Sequence, residues 1–128
     1  MTSIEVPYAI AAALPTLSVM DITNEVSQNV ACSGCRDGIA YVRATHGLSL
    51  IRVQERETCI FEDLEALLER IVPSASRMRE RLVVALLGPR TEQVPFADGR
   101  LSIGHFQRIL LFSLDSEQRH DWSLTLLG

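Results

Sequence analysis

Along this chain the apolar positions switch repeatedly between a period of two and a period near 3.6, the marks of strand and helix. Residues 3–10 and 15–20 read as two short extended segments, separated by an Ala-rich bend before Pro15. Ile22, Val26 and Val30 then fall four apart and give one apolar stripe of a helix. Asp21 or Thr23 can cap that helix, because a short side-chain oxygen satisfies an orphan N–H of the first turn, and Gly34 can end it. Residues 38–45 (G-I-A-Y-V-R-A-T) and 48–55 (L-S-L-I-R-V-Q-E) are extended runs around His46-Gly47, a two-residue gap that reads as a hairpin turn. Residues 61–72 carry the strongest helical pattern. Leu64, Leu67, Leu68 and Ile71 supply its apolar face, Glu62 and Asp63 suit the N-terminal end of its dipole, and Pro73 terminates it.

The polar residues 74–81 precede Leu82–Leu87, an apolar run that predicts a short buried helix up to Gly88. Three extended runs close the chain. The first is a hairpin over 94–103 (V-P-F-A-D-G-R-L-S-I), in which Pro95 suits a sheet edge, Ala97-Asp98-Gly99 is turn chemistry, and Leu101 and Ile103 alternate with Ser102. Gly104 permits a bulge or a close backbone approach. The second run covers 106–114. In the third, 120–127, Trp122, Leu124 and Leu126 alternate with Ser123 and Thr125.

Composition narrows the function. A chain of 128 residues with no repeat or linker is expected to form one domain, 1–128. No apolar run approaches the ~20 residues of a membrane span, and M-T-S-I-E-V-P-Y lacks the basic start of a secretory signal, so the expected location is the cytoplasm. A net charge of −4 argues against nucleic-acid or anionic-membrane partners. All twelve basic residues are Arg, which excludes lysine Schiff-base chemistry and a Walker-type lysine. Any anion must therefore be held by Arg or backbone N–H groups, or through a metal. Cys32, Cys35 and Cys59 are an odd set with no export signal, so a disulfide framework is not expected. Cys32-Ser33-Gly34-Cys35 lacks the second ligand pair of a zinc site.

Several segments, in order, resemble the YjbQ-like or secondary thiamine-phosphate synthase family. Asp21-Ile22-Thr23-Asn24-Glu25-Val26 resembles its D-I-T-d-e-V helix start, and Gly34 with Asp37-Gly38 its s-G-x-x-D-G strand entry. Leu86-Leu87-Gly88, Val94-Pro95, Asp98-Gly99-Arg100-Leu101, Gly104 and Gln107 follow its V-P-v-e-D-G-r-L-x-L-G-t-W-Q order. Leu114-Asp115, Arg119 and Leu127-Gly128 are similar to its ending. The resemblance implies an α+β fold, a β-sandwich of two sheets flanked by two helices in the order β(2)-α-β(2)-α-β(3), packed as a homotrimer.

The family's active site is a histidine cluster associated with a metal, and this chain keeps little of it. His46 and Glu55 hold the nine-residue spacing of the family's H-T-T-A…E element, but both threonines are lost. The loop bearing the other histidines is shortened, and Arg81 stands where the last of them would fall. Phe106 replaces the tryptophan of the W-Q pair, and Ser113 an acid on the next strand. The resemblance thus implies His46 and Glu55 as catalytic remnants, and Arg81, Gln107, Asp98 and Arg119 as ligand-binding candidates, with neither metal nor cofactor expected. Each also has a plainer role: His tolerates left-handed backbone in a His-Gly turn, Asp98 is a turn residue, and Arg77, Arg79 and Arg81 form a solvated run. Two functions remain. One is a trimeric module that has reduced or lost catalysis and binds a small phosphorylated ligand; the other is a divergent thiamine-phosphate synthase.

Overall fold

The computed structural model describes residues 4–5, 17–72, 78–114 and 121–128. The elements run β1 (Ile4–Glu5), β2 (Ser18–Asp21), α1 (Thr23–Cys32), β3 (Gly38–Ala44), β4 (Ser49–Glu55), α2 (Thr58–Ile71) and α3 (Arg79–Leu87). Then follow β5 (Thr91–Ala97), β6 (Arg100–Leu101), β7 (Gln107–Ser113) and β8 (Trp122–Leu127). The Ala-rich bend before Pro15, the start of the last extended run at His120, and Arg119 lie outside the described residues.

All strand pairs are antiparallel and divide into two sheets, ordered β1-β2-β7-β4 and β6-β5-β3-β8. The expected α+β sandwich is thus present, with a third helix. Leu82–Leu87 does form a helix, but it begins at Arg79 and is not buried all round: Val83 and Leu87 are covered, while Leu82 and Leu86 face outward.

The sandwich has two cores that share one sheet. Leu50, Leu110 and Phe112 point from the first sheet toward Phe61, Leu68 and Val72 of the α2 segment and Val83 and Leu87 of α3. From its other face Ile51, Ile109 and Leu111 meet Ala40, Val42, Val94 and Phe96 of the second sheet and Ile22, Val26 and Val30 of α1. The α1 stripe read from sequence is fully buried, and Gly34 ends the helix at φ +82°. On α2 the buried face is rotated from the expected one. Phe61, Leu64, Leu68 and Val72 pack inward, while Leu67 and Ile71 remain half exposed. That helix also starts earlier than expected, at Thr58, so Glu62 and Asp63 sit beyond its first turn.

The His46-Gly47 connection is not a hairpin. Ala44 pairs with Trp122 in one sheet and Ser49 with Ser113 in the other, so the chain crosses between sheets here. The reason lies in the two runs. β3 buries Ala40, Val42 and Ala44 but turns Arg43 outward, which suits a sheet with one open face. In β4, Ser49, Leu50 and Ile51 are consecutively buried, which suits a sheet covered on both faces. Neither His46 nor Gly47 takes a positive φ, so a left-handed backbone does not explain the pair. Residues 89–90 close this corner: the Pro89 carbonyl accepts from Ile51 N (3.0 Å) and the Arg90 carbonyl from Ala44 N (2.7 Å). In the β5–β6 hairpin, by contrast, Asp98 (φ 51°) and Gly99 (φ 73°) form the expected tight turn.

Where β3 begins, an added Cβ on Gly38 would stand 2.1 Å from the Leu127 carbonyl oxygen. Backbone, rather than a flexible side chain, would have to move. Gly38→Ala is therefore expected to lower stability by about 2–4 kcal/mol in urea unfolding followed by the fluorescence of Trp122, the single tryptophan. Unchanged stability would mean that β3 and β8 lie farther apart.

Candidate functional site

The residues singled out by sequence fall in three places. The first is the crossover before β4. His46 is half-buried, and its carbonyl accepts from Ser49 N (3.3 Å) and Ser49 Oγ (2.7 Å), which fixes the turn into the strand. The Leu48 carbonyl accepts from Leu114 N (2.8 Å). Beside this segment lies an open groove of about 460 Å³ lined by Gly47, Leu48, Arg81, Val84, Ala85 and Arg90. Arg81 lines it from α3 and Arg90 from the position just before β5, where Arg90 Nη2 also donates to the Gly47 carbonyl (2.8 Å). Two arginines thus line the groove with Leu48, Val84 and Ala85, and no carboxylate is among the described lining residues. This donor set does not fit a divalent metal, which needs anionic or neutral ligands. Nor does any group of three or more His, Cys, Asp or Glu among the described residues stand ready to hold one.

The second place is the far end of β4. Glu55 is exposed and pairs in register with Gln107 of β7. The strand is seven residues long, so its two ends lie roughly 20 Å apart. Within one chain, His46 and Glu55 therefore cannot act as an acid–base pair, despite their family-like spacing. The Gln107 side chain is occupied locally: its Oε1 accepts from Gly104 N (2.6 Å), while the Gln107 backbone N–H donates to the Gly104 carbonyl (3.0 Å). This is the close approach that Gly104 allows.

The third place is the Asp98 turn. Asp98 Oδ1 accepts from Arg36 Nη2 (2.6 Å), an exposed pair worth little by itself. Asp98 N donates to Asp37 Oδ1 (3.1 Å), so the turn is tied to the segment entering β3. Arg79, read as solvated, is instead buried, and its Nη1 donates to the Val72 carbonyl (3.5 Å), linking the end of α2 to α3.

Sequence gave no sign of the cluster around Asp21 beyond a helix cap. The Asp21 carboxylate is buried and accepts at Oδ1 from Thr23 N (3.0 Å) and Thr23 Oγ1 (2.7 Å). At Oδ2 it accepts from Arg108 Nε (2.7 Å) and Arg56 Nη1 (3.1 Å). Thr23 Oγ1 in turn accepts from Ile109 N (2.7 Å), and Arg108 Nη2 reaches Asn24 Oδ1 (3.3 Å). Burial alone would raise the Asp21 pKa, but the hydrogen bonds from Arg108 and Thr23 and the Arg108 charge outweigh it and hold the carboxyl below its usual range. Glu92 shifts the other way: burial raises its pKa against the weaker pull of Arg52. Arg90 likewise escaped the sequence reading, since it belongs to no motif; only the fold brings it to the groove that Arg81 lines.

Residues 13–128 match the family model described as UPF0047 protein YjbQ-like. The chain belongs to this YjbQ-like family. A UPF0047 protein of Archaeoglobus fulgidus is 30% identical over 108 residues, covering 77% of this chain and 82% of the relative. Another, from Methanothermobacter thermautotrophicus, is 28% identical over 121 residues, covering 88% and 84%. Among solved structures, an uncharacterised YjbQ/UPF0047 family protein of Clostridium acetobutylicum superposes with a TM-score of 0.79 at 21% identity, covering 98% of both chains. A hypothetical protein of Aeropyrum pernix gives 0.77 at 22% identity, covering 99% of this chain and 96% of its own. At such identities the two structures establish a shared fold and no more.

Because the Asp21 pKa is lowered, its contribution to YjbQ-like fold stability is full above about pH 4 and is lost as pH falls through its folded-state value. Asp21→Asn is expected to cost about 2–3 kcal/mol at pH 7, discounted for the partial exposure of both arginines, and to flatten the acid limb of the stability curve. Glu92 has the opposite sign: its raised pKa makes ionisation unfavourable to folding, so Glu92→Gln should slightly raise stability at pH 7. Urea unfolding from pH 2.5 to 7 checks both, and an acid limb unchanged in Asp21→Asn would exclude the assigned role.

Proposed function

We propose that this chain is a trimeric, fold-conserving YjbQ-like protein with reduced or lost catalysis, which binds a small phosphate-bearing anion. The observation carrying this reading is that Arg81 and Arg90 line one groove at the Gly47–Leu48 crossover, with no carboxylate among its described lining residues. A guanidinium holds phosphate through two parallel N–H donors and needs no metal to do so. The groove is of small-molecule size, and Leu48, Val84 and Ala85 supply apolar contact for the body of such a ligand. The trimer is an expectation from the family resemblance. The free state of Cys32, Cys35 and Cys59 is in keeping with a cytoplasmic protein, and no helix among the described residues is long and apolar enough to cross a membrane.

A second reading, a divergent secondary thiamine-phosphate synthase, is favoured by the position of His46 next to the groove. It is weakened by the strand length between His46 and Glu55, since general acid–base work needs groups within hydrogen-bond reach of one substrate. Under this reading, His46→Ala would fold normally and lose turnover of the pyrimidine and thiazole phosphates.

Calorimetric titration with inorganic phosphate and with phenyl phosphate tests the main reading. Arg81→Ala and Arg90→Ala are each expected to weaken binding by about tenfold or more, consistent with loss of one charge-assisted contact. Phosphate affinity that is absent in the wild type, or unchanged in both variants, rejects the anion site. Turnover abolished in His46→Ala would instead establish the enzyme.

A further inference from the structure

The most exposed large apolar side chain among those described is Phe106, at 75%. Its ring projects from the turn between β6 and β7, which the Gln107 side chain locks through the Gly104 N–H, and the His105 ring packs edge-on against it with centroids 4.7 Å apart. An aromatic held in one place and left in water has already lost the freedom that binding would otherwise remove. Phe106 itself forms part of the wall of a depression of about 310 Å³, together with Glu55, Arg56, Glu57, His105 and Arg108. The exposed ring is thus at the rim of a socket on the same face.

We infer that this face is a contact surface for a second copy of the chain, with Phe106 of each copy entering the socket of the next. The inference rests on the multimeric reading above and assigns it a surface. Charge selects the occupant. Glu55 and Glu57 are exposed, while Arg56 and Arg108 are 38% and 30% exposed and each already gives one nitrogen to Asp21. A strongly acidic or basic partner would meet like charge on part of this ring. A second copy brings the same mixed ring and can set carboxylate against guanidinium. Copies carrying a net charge of −4 repel one another elsewhere, so a face of mixed sign is where they can approach. Inside the socket the guanidinium walls also suit the face of an entering phenyl ring.

Light scattering and sedimentation across a dilution series test the assignment. Phe106→Ser is expected to raise the concentration for half-assembly by about thirtyfold, the effect of truncating a central aromatic anchor, while far-UV circular dichroism stays unchanged. Leu127→Ser removes another exposed apolar side chain, 58% exposed on β8, and should assemble like the wild type. A Phe106→Ser protein that assembles at the wild-type concentration overturns this surface and leaves the multimer standing. A wild type that stays monomeric throughout overturns both. Amide exchange on the wild type needs no variant: residues 104–108 should exchange more slowly at high than at low protein concentration, and equal rates overturn the inference.

Discussion

The fold depends on one strand being apolar on both faces. β7 lies inside the first sheet, between β2 and β4, with helices over one side and the second sheet over the other. Ile109 through Ser113 are all buried, so the alternation of an ordinary antiparallel strand cannot survive there. The run I-L-L-F-S supplies what the position demands: Ile109 and Leu111 fill one core, Leu110 and Phe112 the other. A polar change at any of Ile109, Leu110, Leu111 or Phe112 would set a polar group in one core or the other. Both cores are thus held in register by the same backbone.

That backbone is fastened at one end by Asp21. Its carboxylate joins the end of β2, the first turn of α1, the start of β7 and Arg56 in the β4–α2 connection. A buried ionised group costs desolvation, and here two guanidiniums, a hydroxyl and a backbone N–H compensate it. A buried carboxylate with that many donors fixes where each segment must lie, because displacing any one of them strips a partner from a charge that water cannot reach. Thr23 extends the chain of contacts to Ile109 N, at the head of the buried run.

What the sequence disclosed follows from how local each signal was. The α1 stripe of Ile22, Val26 and Val30, the Asp98-Gly99 turn and the alternation ending at Leu126 are each contained in a few neighbouring residues, and each was legible. The His46-Gly47 crossover was not, because a two-residue gap looks the same whether the strands pair with each other or part into separate sheets. The difference was present in the burial demands of L-S-L-I against A-Y-V-R, a signal that becomes readable only once one sheet is known to be covered twice. On α2, both Leu64–Ile71 and Phe61–Val72 satisfy a helical repeat, and packing against Leu110 and Phe112 decided between them. Arg79 and Arg90 carry no local mark at all; the carbonyls they bind, of Val72 and Gly47, lie outside their own elements.

The same logic bears on the candidate site. Nine residues between a histidine and a glutamate look like a catalytic pair on paper, yet a strand spends that spacing on distance and places its ends far apart. Arg81 and Arg90, with no recognisable spacing, are brought to one groove by a helix and a corner. The kind of chemistry follows from the kind of side chain. A histidine cage can hold a metal or move a proton, whereas a guanidinium carries a fixed charge, matches phosphate through two donors and does not serve as a base. Under the proposed function, arginine at position 81, where the family resemblance places a histidine, gives up metal and proton chemistry at that position and keeps attraction for an anion. Such an exchange retains binding more readily than turnover. The scaffold that positions the groove, from the Pro89–Arg90 corner to the buried β7 run, does not depend on which of the two the site performs.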